Sequence, residues 1–163
     1  MATAPAKPVA RGYEYLHIAI DDHTRIAFTA ILPDQKHGSA LLFFHMACAH
    51  FSRFGFSVRS ILTDNGSCYR DWRFQKVVRS ACLKHRFTRP YTPRTNGKAQ
   101  RFIQTALREW AYARTYQNSD QRNQQLDPWL HDYNFHRPHA SLTLKTPASR
   151  AQLNRNNLLS LHI

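Results

Sequence analysis

The order of its periodic segments constrains this chain more than any other feature. Two runs of aromatic, branched and aliphatic residues, Tyr13–Ile20 and Ile26–Leu32, flank the polar cluster Asp21-Asp22-His23-Thr24-Arg25 and predict a β-hairpin. Apolar residues then recur at helical spacing, at Ala40, Phe43, Phe44, Ala47, Cys48 and Phe51, until Gly55 stops the pattern. The branched run Val58–Thr63 breaks off in the turn sequence Asp64-Asn65-Gly66-Ser67. A hairpin followed by helix, strand, helix, strand and helix is the order of an α/β domain with a mixed sheet, and it puts Asp64 at the carboxyl end of a strand.

The rest of the chain reads more coarsely. A helix is expected from about Arg70 to Lys84, with Phe74, Val77, Val78, Ala81 and Cys82 on its apolar side, and a brief strand at Arg86–Thr88. Residues 89–97 hold two Pro and a Gly and predict a mobile basic loop. A long helix from Lys98 to about Thr115 buries Ala99, Phe102, Ile103, Ala106, Trp110 and Ala113, leaving Gln100, Arg101, Gln104 and Arg108 as its polar stripe. Asp127-Pro128 reads as an N-cap and first-turn proline opening a helix through Trp129, Leu130 and Tyr133. Residues 1–11 read as a disordered leader, 12–116 as a core, 117–150 as its helical carboxyl-terminal part, and 151–163 as a weakly patterned tail.

Charge narrows the function. The 163 residues carry 23 Lys plus Arg against 10 Asp plus Glu, a net +13 that points to a polyanionic partner, nucleic acid first. Arg outnumbers Lys by 17 to 6, and the planar guanidinium binds phosphate oxygens through two bonds at once. Twelve of these cations lie between Ser67 and Tyr116, against only Asp71 and Glu109. Cys48, Cys68 and Cys82 are widely spaced and form no Cys-x-x-Cys pair, so neither a disulfide framework nor a zinc knuckle is expected, and a reducing cytoplasm fits. The longest apolar run, Ala40 to Phe51, is too short for a bilayer, and the first ten residues lack the apolar stretch of a secretory signal.

Four segments resemble the catalytic core of the retroviral-integrase-like superfamily and, within it, the DDE transposases of insertion sequences. They are Tyr15-Leu-His-Ile-Ala-Ile-Asp-Asp-His-Thr-Arg25, Ile61-Leu-Thr-Asp-Asn-Gly-Ser67, Pro90-Tyr-Thr-Pro-Arg-Thr-Asn-Gly-Lys-Ala-Gln-Arg-Phe102, and Tyr133-Asn-Phe-His-Arg-Pro-His-Ala-Ser-Leu142 with Thr146-Pro147. The resemblance runs from about Gly12 to Arg150. It implies an RNase H-like mixed sheet flanked by helices, with a helical carboxyl-terminal extension. It also implies two Asp and one Glu holding a pair of Mg²⁺ or Mn²⁺ ions for DNA strand transfer. Two dications about 3.5–4 Å apart stabilise the entering and leaving oxygens of an in-line displacement at phosphorus, and such hard ions require carboxylate oxygens.

Residue by residue, the resemblance implies that Asp64 is the second carboxylate of the triad and a metal ligand. Thirty-five residues separate it from the family's Glu, and counting through 65–99 lands on Gln100, a neutral amide. Glu109 lies about 900° and about 13.5 Å further along a regular helix, half a turn out of phase. Asp21 and Asp22 match the hairpin turn rather than the first catalytic Asp, whose strand the chain lacks. That strand belongs in mid-sheet, so its loss is expected to leave two unpaired strand edges, to be repaired by a companion polypeptide, a longer product or a rearrangement of the sheet. Arg70, Arg73, Tyr91, Arg94, Thr95, Asn96, Lys98, Arg101 and Arg108 are the candidate DNA contacts, for transposon ends and target. His131, His136 and His139 read as parts of the fourth motif rather than as a metal cluster.

Three functions stay open on the sequence. One is a catalytically defective integrase core that binds DNA, as a homo-oligomer or beside an intact transposase. Another is an active Mg²⁺-dependent strand transferase completed by upstream sequence or a partner chain. The last is a generic basic RNA-binding protein.

Overall fold

The computed structural model describes residues 14–89, 97–151 and 157–162; within the last stretch only the Leu161 side chain is described. The expected leader at 1–11 lies outside these residues. Five strands, β1 (Tyr15–Asp21), β2 (Ala27–Leu32), β3 (Val58–Thr63), β4 (Lys84–Phe87) and β5 (Asn157–His162), form one mixed sheet in the order β2-β1-β5-β3-β4. β1 is antiparallel to β2 and β5, whereas β3 is parallel to β4 and β5.

The hairpin forms as its residues predict. Asp21 is wholly buried and its Oδ2 accepts from the Thr24 backbone N–H at 2.7 Å and the Thr24 hydroxyl at 2.6 Å, closing the turn from within. Arg25 takes the left-handed backbone, φ 68°, to re-enter β2.

Alternation along β1 assigns the two helical layers. Ala19 faces the first, with α1 (His37–Ser52), α2 (Ser67–Arg70) and α3 (Trp72–Ser80) packing Ala40, Phe43, Phe44, Phe51, Tyr69, Phe74 and Val78 around Ile61 and Leu161. Burying each large apolar side chain here contributes about 1.5–3 kcal/mol. Ile18 and Ile20 face the second, where α4 (Gly97–Ala106) and α6 (Leu126–Phe135) bring Ala99, Phe102, Ala106, Leu130 and Tyr133. The Phe102 and Tyr133 rings meet edge to face at 4.9 Å. Two short helices, α5 (Ser119–Asn123) and α7 (Pro147–Ala151), flank α6 in sequence.

Asn134 fastens α6 to the sheet. Its Oδ1 accepts from the Ala27 N–H and its Nδ2 donates to the Ala27 carbonyl, both at 2.9 Å, so a buried side chain mimics the missing neighbour of edge strand β2.

Several expectations need correction. The expected helix from Arg70 to Lys84 is two helices, broken at Asp71 (ψ 135°), whose Oδ1 accepts from the Arg73 N–H at 2.8 Å and so starts α3 anew. That break and the early end at Ser80 leave Ala81 and Cys82 exposed. The long helix is α only to Ala106; Leu107–Ala111 form a π turn, after which Ala113 is exposed. α6 starts at Leu126, so Asp127 sits in its first turn rather than at its cap.

The largest correction concerns the sheet. The gap expected between the hairpin and β3 is filled, because residues 157–162 of the segment read as a tail enter it as β5. Ala19 pairs with Leu161 on one side and Thr63 with Leu161 on the other. Two adjacent strands with free N–H and C=O rows form a slot for any segment that pairs with both. Leu161 then sinks completely into the core on the α1 face.

Candidate functional site

β3 carries Asp64 to the rim of the sheet. Its Oδ1 accepts from the Gly66 N–H at 2.8 Å, folding the carboxylate back over the turn. A Cβ on Gly66 would lie 2.9 Å from that oxygen, so the close approach requires glycine. Asn65 Nδ2 donates to the Thr88 carbonyl at 2.9 Å and ties the turn to the end of β4. Ser67 opens α2 and is exposed, while Cys68 and Tyr69 behind it are buried.

A directed chain of hydrogen bonds supports this turn from below. The Gln75 amide donates both its protons, to the Tyr69 carbonyl at 2.6 Å and to His85 Nδ1 at 2.8 Å. An Nδ1 that accepts leaves the proton on His85 Nε2, which donates to Thr63 Oγ1 at 2.9 Å. The Thr63 hydroxyl in turn donates to the Asp64 carbonyl oxygen at 3.0 Å. Burial pushes the His85 pKa down to about 4, keeping the ring neutral as this chain requires. Sequence reasoning missed the network because Thr63, Gln75 and His85 lie on three elements.

The other candidates divide between surfaces. Gln100 is exposed in the first turn of α4. Arg70 and Arg73 belong to the α1–α3 layer, with the Arg73 guanidinium against His37 Nε2 at 2.7 Å. Lys98, Arg101 and Arg108 belong to the opposite layer and line one cleft with Arg25 and Arg137, neither of which the sequence reading singled out as a DNA contact. Tyr91, Arg94, Thr95 and Asn96 lie outside the described residues.

A pair of dications at Asp64 would require several anionic oxygens. All ten Asp and Glu residues of the sequence are among the described residues. Asp21 closes the hairpin turn at the level of Ile61, three residues below Asp64, about 10 Å along the strand direction. Glu109 is held by Arg137 and Arg108; burial tends to raise its pKa, but the two guanidiniums outweigh that and hold it below the usual range. Glu14 pairs with Arg122 and Asn123, and Asp22 with Arg25 and Lys98. β5, the strand beside β3, reads Asn157-Leu158-Leu159-Ser160-Leu161-His162 and carries no carboxylate. Among the described residues no three His, Cys, Asp or Glu side chains are grouped to hold a metal. One carboxylate and an amide do not fit a pair of dications.

Comparison with known proteins agrees with the fold. Two family models, each described as "Integrase core domain", match residues 3–93 and 81–147. The ORF3 product of Spiroplasma virus SpV1-C74, which bears an integrase name, is 26% identical over 146 residues, covering 82% of this chain and 40% of the viral one. Transposase InsD of insertion element IS2 from Escherichia coli is 30% identical over 86 residues, 53% of this chain and 29% of that protein. The chain thus spans less than half the length of either relative. Among solved structures, the integrase catalytic core domain of HTLV-2 in complex with magnesium, in a trimeric form, superposes with a TM-score of 0.64 at 17% identity, over 86% of each chain. At that identity the likeness speaks for the fold alone. No helix among the described residues is long and apolar enough to cross a membrane. A mixed sheet in this strand order, an Asp at the end of β3 and family models that together run from residue 3 to residue 147 lead to one conclusion: the chain belongs to the integrase core domain family.

Proposed function

We propose that this chain is a DNA-binding integrase core that does not itself carry out metal-dependent strand transfer. The observation that carries the reading is the composition of the sheet beside Asp64. The neighbouring strand β5 has no carboxylate, and Gln100 stands where the family's Glu is expected, so Asp64 is the lone anionic donor at the rim. A single carboxylate leaves most of the charge of two dications unbalanced. Asp64 then serves the turn through its bond to Gly66. The net charge of +13 favours a phosphate-rich partner independently of any chemistry.

Transposon ends and target DNA are the partners this reading names, and association with a second core, its own or that of an intact transposase, belongs to it. The test uses the purified chain and a fluorescent duplex of mixed sequence. Duplex binding is expected to weaken with salt, log K falling by about 0.9 per neutralised phosphate for each unit of log salt. No nicking or joining is expected with Mg²⁺ or Mn²⁺. Asp64→Asn is expected to leave affinity unchanged. Mg²⁺-dependent nicking that disappears in Asp64→Asn would overturn the reading in favour of an active strand transferase. Tighter binding to single-stranded RNA than to duplex DNA would overturn it in favour of a generic RNA-binding role.

A further inference from the structure

The cleft between α4 and the turn that follows α6 has a volume of about 640 Å³ and two cationic walls. On one side, Lys98, Arg101, Thr105 and Arg108 recur along α4 and its π turn at spacings of three and four, a single stripe that flanks the buried Ala99, Phe102 and Ala106. On the other side stand Arg25 from the hairpin turn and Arg137, His139 and Ser141 from the chain after α6.

Two carboxylates meet the five cations, and each is shared. Asp22 takes Lys98 and Arg25, and Glu109 takes Arg108 and Arg137. The shared carboxylates brace the two walls across the cleft without neutralising it. A guanidinium has five N–H donors, so one that satisfies a carboxylate keeps others for phosphate oxygens. Arg101 is exposed and has no carboxylate partner among the described residues.

Two departures from regular backbone converge here. Arg25 is a non-glycine residue in the left-handed region, and the π turn at Leu107–Ala111 sets the direction of Arg108 and Glu109. Both irregularities carry the side chains that line and brace the cleft. Its floor is Tyr133, buried, with the His139 ring edge-on at 4.6 Å. Burial lowers the His139 pKa, and Arg137 and Arg25 push the same way against the hydrogen bond to the Tyr133 carbonyl, which favours the charged ring.

The ligand chemistry follows from this layout. Ten residues of helical rise from Lys98 to Arg108 give a stripe about 15 Å long, enough to follow two or three successive phosphates of one strand. Among the described residues, no exposed Phe, Tyr or Trp lines the cleft on which a base would stack. We propose that this cleft binds the phosphodiester backbone of duplex DNA without reading sequence, with Arg25 and Arg137 gripping from the wall opposite α4. The inference rests on the DNA-binding reading above and names the surface that performs it.

The test measures duplex affinity of the full chain by fluorescence anisotropy across a salt series. Arg101→Gln, Arg137→Gln and Arg25→Asn are compared with a control pair, Arg53→Gln with Arg79→Gln, two exposed cations outside the cleft. Asparagine suits the left-handed backbone at position 25. Because Arg137 also braces Glu109, thermal melting accompanies each variant, and Arg101→Gln, which breaks no ion pair among the described residues, carries the test if Arg137→Gln unfolds. Each cleft variant is expected to weaken binding about five- to tenfold and to reduce the salt slope by about 0.9. Wild-type binding with cleft variants no weaker than the control pair would overturn the cleft while leaving DNA binding intact. Absence of wild-type duplex binding would overturn both.

Discussion

The turn at Asp64 and the cleft along α4 lie on one small sheet and solve opposite problems. At the turn, a single carboxylate is folded onto its own backbone, and Thr63, Gln75 and His85 beneath it are paired to one another. At the cleft, four of the five cations share two carboxylates and keep donors in reserve, and Arg101 has no carboxylate partner among the described residues. The first region spends its polar groups on one another, with Asp64 Oδ1 held by the Gly66 N–H, and offers a single carboxylate to an ion. The second is internally short of negative charge, a deficit that a polyanion makes good. On the proposed reading, the family's fold persists around a rim short of carboxylates while a separate basic surface takes the phosphates.

Three perturbations break or sharpen this contrast. The largest effect is expected from Leu161→Pro. β5 is bonded on both sides, so the lost N–H and the clashing ring remove the strand that joins β1 to β3, and loss of the buried Leu161 side chain costs about 2–5 kcal/mol besides. Urea denaturation should show wholesale loss of stability, and duplex affinity should fall with it, since both regions depend on the sheet. A stable Leu161→Pro protein would mean that β5 is dispensable.

Gly66→Ala separates the regions. The added Cβ meets Asp64 Oδ1 at 2.9 Å, so the carboxylate must turn away and lose its part-buried bond to the Gly66 N–H, which costs about 0.5–1.5 kcal/mol. The urea midpoint should drop while the duplex affinity of the folded protein stays at the wild-type level. An equal loss in both would show that the turn and the cleft are coupled.

The third perturbation is acid. His85 titrates near 4 when folded and near 6.5 when unfolded, so the unfolded chain binds more protons between these values. Its contribution is complete above about pH 6.5 and is lost as pH falls toward about 4. Wild-type stability should therefore decline over that range more than that of His85→Gln. Equal declines would remove His85 from the account of the Asp64 turn.

Where local periodicity coincides with burial, the sequence was legible. Val58–Thr63 was read as a strand with Asp64 at its end and is β3, and the hairpin around Asp21 and Asp22 formed where its polar turn predicted. β5 escaped because Asn157-Leu-Leu-Ser-Leu-His162 has no β-branched residue and no Phe, Tyr or Trp to signal a strand. Its strand conformation comes from the two rows of backbone groups that receive it. Asn134 and Arg137 stood in a motif whose match gave no geometry, and their partners, Ala27 and Glu109, lie 107 and 28 residues away.

By itself, then, the sequence determined the α/β order, the basic surface, the carboxylate at the end of β3 and the amide at position 100, since each is a property of a residue or of a short repeat. Which segment completes the sheet, which cations face one another across a cleft and which proton His85 keeps were decided only by tertiary structure. Those outcomes arise from groups distant in the chain that must satisfy one another's hydrogen bonds and charges once water is excluded.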